Sequence, residues 1–260
     1  MINYKTAKEI EIMKTGGHIL AEVLADVMSA IKPGVTELEL DKLAEKLIRE
    51  KGGEPGFKKV NGYHHTICMS TNDAVVHGIP GNYKFRAGDV VGVDCGVFYK
   101  GFHTDMAETR RVLEIKDQRL KIKDSEEEVE KFLKIGRKAL DAGIEQAVIG
   151  NRVGHISKVI QDIVEKEAGY SVVRSLIGHG VGRELHEEPE VPGYLNGKIE
   201  KTPLLQEGMT IAVEVIYNMG TKDVVLDHDG WTIRSKDGSM AGLFERSIAI
   251  IKSGPLILTA

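Results

Sequence analysis

Cysteine is scarce in this chain of 260 residues, which contains only Cys68 and Cys95. Two cysteines are too few for a disulfide framework and are typical of proteins in a reducing compartment. Long apolar runs are also lacking. No segment is long enough to span a bilayer, and residues 1–14 are too polar and charged for an export signal. We therefore expect a cytoplasmic protein.

Neither sign of charge is in large excess. The net charge is −4 and the isoelectric point lies near 6.2, which gives no sign of a nucleic-acid or membrane partner. What the chain does contain is ordinary for a folded enzyme, with 42% hydrophobic and 28% charged residues. The length suits one large domain or two small ones, each with room for a core and a pocket.

The chain opens with two amphipathic helices. Apolar residues recur at steps of three and four between positions 5 and 32, which predicts a helix, and Pro33 with Gly34 ends that pattern. Thr36 followed by Glu39 is typical of a capping box, so we expect the second helix to begin there.

The sequence repeats itself once. Residues 34–53 align with residues 150–169 at an offset of 116, with glycines and apolar positions in common. At an offset of 120, residues 86–94 align with residues 206–214, and each copy is a strand-like run that ends in an acid, Asp94 or Glu214. We predict a single catalytic domain over residues 1–260 with repeats at about 1–120 and about 128–255, and a site between the halves. The charged residues 114–130 are interpreted as a solvated connector with the start of a helix.

Two further carboxylates accompany the repeated pair. Lys100 and Gly101 predict a tight hairpin turn, which would place Asp105 opposite a glycine and on the same face as Asp94. Glu245 also lies inside a strand-like apolar run. Four acids brought together would repel each other and hold protons. Two divalent cations remove that problem, so the set of four favours a two-metal site.

Three histidines stand in unusual surroundings. His179 and His186 lie in a glycine-rich segment at 177–192, where close approach to a ligand is allowed. A phosphate-binding loop is disfavoured because no Lys-Ser/Thr pair follows. One of the two could join the carboxylates and the other could serve substrate. His77 lies where a strand meets a Gly/Pro turn, and alone would more often be a core histidine. We expect His103 to point away from the Asp105 face.

These motifs together resemble those of type I methionine aminopeptidases, in the right order and over nearly the whole chain. The matching segments are VHGIP at 76–80, GDVVGVD at 88–94, GFHTD at 101–105, GHGVGRELHEEP at 178–189 and EGMT at 207–210. The resemblance implies an α+β pita-bread fold, in which two pseudo-two-fold-related αβ halves combine an antiparallel sheet with outer helices.

The resemblance also implies a dinuclear metal centre held by Asp94, Asp105, His179, Glu214 and Glu245. Asp94 would hold one metal with both oxygens, and two of the acids, Asp105 and Glu245, would bridge the pair. A bridging water would be the nucleophile because two cations lower its pKa. The metals could be Co, Mn, Fe or Zn, and the sequence does not name which.

Catalysis and specificity are implied by the same motifs. Glu214 would act as general base, while His77 and His186 would position the substrate amide and stabilise the oxyanion. The methionine pocket would comprise Tyr63, Cys68, Leu185 and Trp231. The substrates would be the N-termini of nascent polypeptides and peptides, which implies transient ribosome contact, and the resemblance favours a monomer.

One departure and two alternatives bear on this interpretation. Glu245 is followed by Arg246 and Ser247 where the family usually shows His-Thr, and Arg246 should alternate away from Glu245, so we expect tuning rather than loss of function. A proline-directed aminopeptidase or dipeptidase of the same fold would keep the same ligands. A non-catalytic binding protein of this fold would be expected to lose ligands, whereas all five are present here.

Overall fold

The computed structural model describes residues 1–113 and 124–260. Its α-helices are α1 (Ala7–Ala30), α2 (Glu37–Glu50), α3 (Asp124–Glu145) and α4 (Val153–Gln161), and α4 runs into a π-helical turn at Asp162–Glu167. Short 3-10 turns occur at Phe57–Lys59 and Ile199–Lys201. No helix within the described ranges is both long and apolar enough to cross a membrane.

Hydrogen bonds from side chains fix where the first two helices begin. The backbone N–H of Glu39 donates to Thr36 Oγ1 at 3.2 Å, and the N–H of Thr36 donates to Glu39 Oε2 at 2.7 Å. This is the capping box predicted for α2. Thr6 and Glu9 form the same arrangement at the start of α1. Both helices predicted for the first 50 residues are therefore confirmed.

The strands fall into two groups along the chain. The first group is β1 (Glu54–Pro55), β2 (Ile67–Thr71), β3 (Ala74–Val76), β4 (Val90–Tyr99) and β5 (Phe102–Arg111). The second is β6 (Ser171–Val172), β7 (Gly178–Gly180), β8 (Glu187–Val191), β9 (Thr210–Asn218), β10 (Val224–Leu226), β11 (Ile233–Ser235), β12 (Ala241–Ile251) and β13 (Gly254–Ile257).

One antiparallel sheet runs through both halves in the order β1-β4-β5-β12-β9-β7-β8, with β2 on β4, β6 on β9 and β13 on β12. A small sheet, β10-β11-β3, lies beside it. The central pair β5–β12 joins the halves, and β4 and β9 flank it symmetrically. Strand β4 begins at residue 90 and β9 at residue 210, which is the offset of 120 found in the sequence. The bridges Thr36↔Lys84 and Arg152↔Leu204 repeat at the two offsets found in the sequence, 116 and 120.

Each half has its own apolar core between helices and sheet. Alternate residues of β4, such as Val93 and Cys95, pack against α1 and α2. Val213 and Val215 of β9 pack in the same way in the half that contains α3 and α4. Since side chains alternate along a strand, Asp94 and Glu214 point to the opposite face of the sheet. The predicted α+β fold with two related halves and outer helices is confirmed.

The charged stretch at 114–130 is described only in part. Its residues 114–123 lie outside the described residues, so the solvated connector predicted there stays a prediction. Helix α3 begins at Asp124, within that stretch, which agrees with the expected start of a helix. The bounds of a single catalytic domain over 1–260 likewise stay a prediction.

Candidate metal centre

A row of functional side chains runs across adjacent strands of the large sheet. Asp94 of β4 pairs with Ala107 of β5, and Ala107 pairs with Glu245 of β12. Glu245 in turn pairs with Glu214 of β9. Because directly opposed residues project from the same face, three acids that are far apart in sequence come together on the face away from the helices.

The β4–β5 hairpin adds the fourth acid. Lys100 and Gly101 form the turn with positive φ angles of 47° and 92°, as a type I′ turn requires. Gly96 pairs with Asp105 and Asp94 with Ala107, so the register predicted for this hairpin is confirmed. The glycine leaves room for the Phe57 ring, since a Cβ on Gly96 would lie 2.7 Å from a ring carbon.

His179 completes the cluster from β7. Its Nε2 lies 3.4 Å from Glu214 Oε1, and its Nδ1 lies 2.9 Å from the Gly180 carbonyl oxygen. If Nδ1–H donates to that carbonyl, Nε2 presents a lone pair to the carboxylates. Donor atoms of Asp105, His179 and Glu245 lie within 4.8 Å of one another. All five residues of the predicted set line one cavity of about 520 Å³.

Positive charge would stabilise the four buried acids of this cluster in their ionised form. Burial raises the pKa of Asp94 to about 7. Burial, followed by the nearby charges of Asp94 and Glu214, raises the pKa of Asp105 well above its ordinary value. Burial is also the largest cause of the raised pKa values of Glu214 and Glu245, with neighbouring acids next. The group therefore holds protons at neutral pH unless cations replace them.

The donor atoms fit divalent metal ions. Asp94 Oδ1 and Glu245 Oε1 are buried, and within the described part of the chain neither has a hydrogen-bond partner. A buried carboxylate oxygen without a partner is costly, and a coordinated cation removes that cost. Ser247 holds the backbone of Asp105 through two hydrogen bonds of 2.8 and 2.9 Å. Four carboxylates and one imidazole form a donor set that suits Mn, Fe, Co or Zn.

Two further histidines face the same cavity. The His186 ring centroid lies 4.4 Å from that of His179, and both His186 and His77 line the cavity. Burial lowers the pKa of both, so each is neutral at neutral pH and can donate one hydrogen bond from its ring. His77 has a φ of 56°, a conformation that is strained for a residue with a side chain and is often found at functional sites.

The four residues predicted to form a methionine pocket lie together in the lining of the cavity. Tyr63, Cys68 and Leu185 form a buried apolar cluster, and Trp231 packs against it with its ring centroid 5.1 Å from that of Tyr63. The Tyr63 hydroxyl donates to the Ile67 carbonyl oxygen at 2.8 Å, which directs the ring. The same cluster contains Phe57, Val60 and Ile79.

Phe57 was not singled out in the sequence. It lies in a short 3-10 turn and is 5% exposed. Its T-shaped contact with Tyr63, at 6.4 Å between centroids, makes it part of the pocket wall. The sequence offers no periodic pattern around it, because glycine precedes it and lysines follow. The one available signal was Gly96, whose missing side chain makes room for this ring.

The expectation for His103 was wrong. Phe98 pairs with His103 and Gly96 with Asp105, and residues two apart on a strand share a face. His103 is buried against Phe98, with 4.7 Å between ring centroids. Burial, followed by the charge of Lys59, lowers its pKa to about 4. It therefore lies on the Asp105 face as a neutral ring, outside the residues that line the cavity.

Arg246 lies on the other side of β12 from the acids, as alternation predicted. Its guanidinium binds the Glu108 carboxylate and donates to the carbonyl oxygens of Ala107 and Glu245. Arg137 binds the same carboxylate through two hydrogen bonds. The residue after Glu245 thus ties β12 to β5 behind the site without entering it.

The comparisons with known proteins agree with this site. Residues 11–241 match metallopeptidase family M24, whose members hydrolyse peptide bonds with the help of divalent metal ions. Fold, donor set and family match together define a metallopeptidase, which is a hydrolase.

Relatives that match over their full length show which metallopeptidases this chain is most similar to among those compared. The chain is 41% identical to methionine aminopeptidase from Clostridium perfringens, over 100% of this chain and 99% of the relative. It is similar to the crystal structure of methionine aminopeptidase from Thermotoga maritima, with a TM-score of 0.91 and 38% identity over 100% of this chain and 99% of the other. A prolidase from Pyrococcus furiosus shares the fold, with a TM-score of 0.75 and 23% identity over 99% of this chain and 65% of that one. The chain belongs to metallopeptidase family M24 and has the pita-bread fold.

Proposed function

We propose that this protein is a methionine aminopeptidase, which hydrolyses the first peptide bond of nascent proteins and peptides to release N-terminal methionine. One observation carries the proposal above others. The five proposed metal ligands line the same cavity as the apolar residues Tyr63, Cys68, Leu185 and Trp231. The full-length similarity to methionine aminopeptidases supports the same conclusion.

In this proposal two divalent metal ions are held by Asp94, Asp105, His179, Glu214 and Glu245. Asp94, Asp105, Glu214 and Glu245 would supply carboxylate oxygens to the ions, and His179 would supply a ring nitrogen. The position of Glu245, paired with both Ala107 and Glu214, places its side chain among the other proposed ligands. When bound, the metals activate a water molecule and polarise the scissile carbonyl group.

The protein's own groups would move protons and stabilise charge. Glu214 accepts a proton from the attacking water and passes it to the leaving amine. Its side chain is 11% exposed, so it reaches the cavity although most of it is buried. His77 and His186 donate hydrogen bonds to the substrate amide and to the oxygen on which negative charge develops. Their lowered pKa values keep them as neutral donors.

The apolar pocket would bind the methionine side chain. Tyr63, Cys68, Leu185 and Trp231 provide an apolar surface that suits an unbranched thioether. Burial raises the pKa of the Cys68 thiol, so it contributes as a small apolar group and not as a nucleophile. Aromatic edges around the pocket favour contact with the substrate sulfur.

The main alternative is a peptidase of the same fold that acts at proline. The likeness to prolidases concerns the fold, since the identity is 23%, and the metal ligands do not separate the two activities. The apolar pocket favours methionine, and the full-length relatives are methionine aminopeptidases.

A non-catalytic role is disfavoured because the five donor residues and both auxiliary histidines share one cavity.

The proposal is tested by assaying purified protein on Met-Ala-Ser and on Ala-Pro peptides. We expect faster release of methionine, loss of activity with EDTA and recovery when Mn, Co, Fe or Zn is added. Faster cleavage of the Ala-Pro substrate would contradict the proposal and favour the proline-directed alternative.

Setting and partners complete the proposal. Cys68 and Cys95 are free thiols, which suits a cytoplasmic enzyme. We propose that the protein acts as a monomer on peptide N-termini, in transient contact with the ribosome as nascent chains appear.

A further inference from the structure

A buried ion pair lies between the segment before α1 and the loop that carries His186. The Lys5 ammonium lies 2.5 Å from Glu187 Oε2, and the two side chains are 4% and 3% exposed. Lys5 Nζ also donates to the Asn3 carbonyl oxygen at 3.1 Å. A lysine this deeply buried is uncommon in soluble proteins unless it is paired.

The other oxygen of Glu187 closes the loop on itself. Glu187 Oε1 accepts hydrogen bonds from the backbone N–H groups of Arg183 at 2.8 Å and Glu184 at 3.2 Å. The N–H of Gly182 donates to the Glu184 carbonyl oxygen at 3.0 Å. Loop 182–187 is therefore organised around one carboxylate. Within this loop, Leu185, His186 and Glu187 line the cavity.

The surroundings are shaped to admit the ion pair. A Cβ on Gly182 would lie 2.5 Å from Lys5 Nζ and 2.8 Å from Glu187 Oε1, so a larger residue there would force the ion pair to move. The Lys5 N–H donates to the Gly208 carbonyl oxygen at 2.7 Å. That glycine has a φ of 88° and lies just before β9, the strand that carries Glu214. The N-terminal segment thus contacts both the loop and the turn that leads to the metal centre.

We propose that Lys5 is a positioning residue, which holds loop 182–187 through Glu187 and so fixes Leu185 and His186 against the cavity. The catalytic consequence rests on the proposed function. A second pair, Arg183 with Glu9 of α1 at 2.5 Å, ties the outer side of the same loop to the N-terminal segment. Loops without such ties are mobile, and displacement of a group near the chemistry by about 1 Å can cost about 100-fold in rate.

The test uses the double variant K5M/E187Q in the full-length protein. K5M alone would leave a buried carboxylate without its partner and could fail to fold. In the double variant both side chains are neutral, and the side-chain amide oxygen introduced by E187Q can still accept the hydrogen bonds within the loop. K8M is the matched control, because Lys8 is exposed on the first turn of α1.

The first measurement is limited trypsin digestion followed by mass spectrometry. Arg183 is itself a trypsin site, and its side chain is 64% exposed. In K5M/E187Q we expect cleavage after Arg183 to accelerate about tenfold or more relative to cleavage after Lys252, because local opening controls proteolysis. The K8M variant should match the wild type. An unchanged ratio in K5M/E187Q would overturn the proposal, whatever the activity.

The second measurement compares methionyl and leucyl tripeptides at equal metal loading. We expect kcat/KM for Met-Ala-Ser to fall about 10- to 100-fold, with a smaller fall for Leu-Ala-Ser, because Leu185 no longer shapes the pocket. An equal fall for both peptides would overturn the claim that Lys5 shapes the pocket through Leu185. If the wild type releases no methionine, the proposed function fails, while the trypsin ratio still decides whether Lys5 holds the loop.

Discussion

Glu214 has two tasks in the proposed chemistry, metal binding and proton transfer. It lies directly opposite Glu245, and its Oε1 is 3.4 Å from His179 Nε2. Burial raises its pKa, which would make it a better proton acceptor than an exposed glutamate once cations have displaced its own proton. The sequence indicated this residue because it matches Asp94 in the repeat.

Glu214→Gln tests the proton-transfer role. The amide keeps the size and one oxygen of the side chain but cannot take a proton at neutral pH. We expect kcat on Met-Ala-Ser to fall about 100- to 10,000-fold, measured with metal content checked in parallel. Glu200→Gln, an exposed position, is the control and should keep wild-type activity. Near-normal turnover of the Glu214 variant would show that another group is the base.

At the scale of elements, the β4–β5 hairpin was predictable and the β5–β12 pairing was not. The hairpin is local, and the turn residues Lys100 and Gly101 set its register through their backbone preferences alone. The Ala107↔Glu245 pairing joins residues 138 positions apart, and no local pattern specifies such a contact. Glu245 was found through its acid inside an apolar run and through family resemblance, not through its partner strand.

One residue was misassigned and two were missed, for different reasons. His103 was placed on the wrong face, although its two-residue spacing from Asp105 puts both on one face. Phe57 lies in a 3-10 turn and Lys5 lies just before α1, so their roles depend on contacts with distant segments. Lys5 acquires its partner, Glu187, only in the folded chain. Local sequence patterns therefore identified the strands and the acids, whereas the contacts of the loops could be found only in the structure.

Gly96→Ala tests the link between the hairpin and the pocket. The added carbon would lie 2.7 Å from the Phe57 ring, and we expect the free energy of unfolding to fall by about 1–3 kcal/mol through overpacking. KM for Met-Ala-Ser should rise, because Phe57 contacts Tyr63. Chemical denaturation and steady-state kinetics measure both.

Gly92→Ala is the control on the same face of β4. Its added carbon meets nothing nearer than 3.3 Å, so stability and KM should change much less. Equal effects from the two substitutions would argue against a specific role for the Phe57 ring.

At the scale of the whole molecule, the buried acids couple stability to pH and to metal. Asp94 has a pKa of about 7, raised by burial from an ordinary value of 3.8, and the other three acids are raised as well. Between about pH 4 and pH 7 the folded metal-free protein therefore holds more protons than the unfolded chain. Stability of the metal-free protein should fall as pH rises through that window.

Metal ions compete with those protons, so metal should stabilise the protein more at higher pH. We expect the rise in Tm on adding metal, relative to EDTA, to be larger at pH 7.5 than at pH 5.5. Metal at about 1,000 times its Kd would add about 4 kcal/mol. Thermal unfolding in non-chelating buffers measures the effect. An equal or larger rise at pH 5.5 would contradict the coupling.

The central claim, that five residues from both halves form one dinuclear centre, is tested most directly by counting bound metal ions. Elemental analysis after dialysis against metal should find two ions per chain in the wild type. Asp105→Asn should lose at least one, because a donor atom of Asp105 lies within 4.8 Å of donor atoms of His179 and Glu245. A wild type that binds one ion or none, or an Asp105 variant that retains two, would contradict the account.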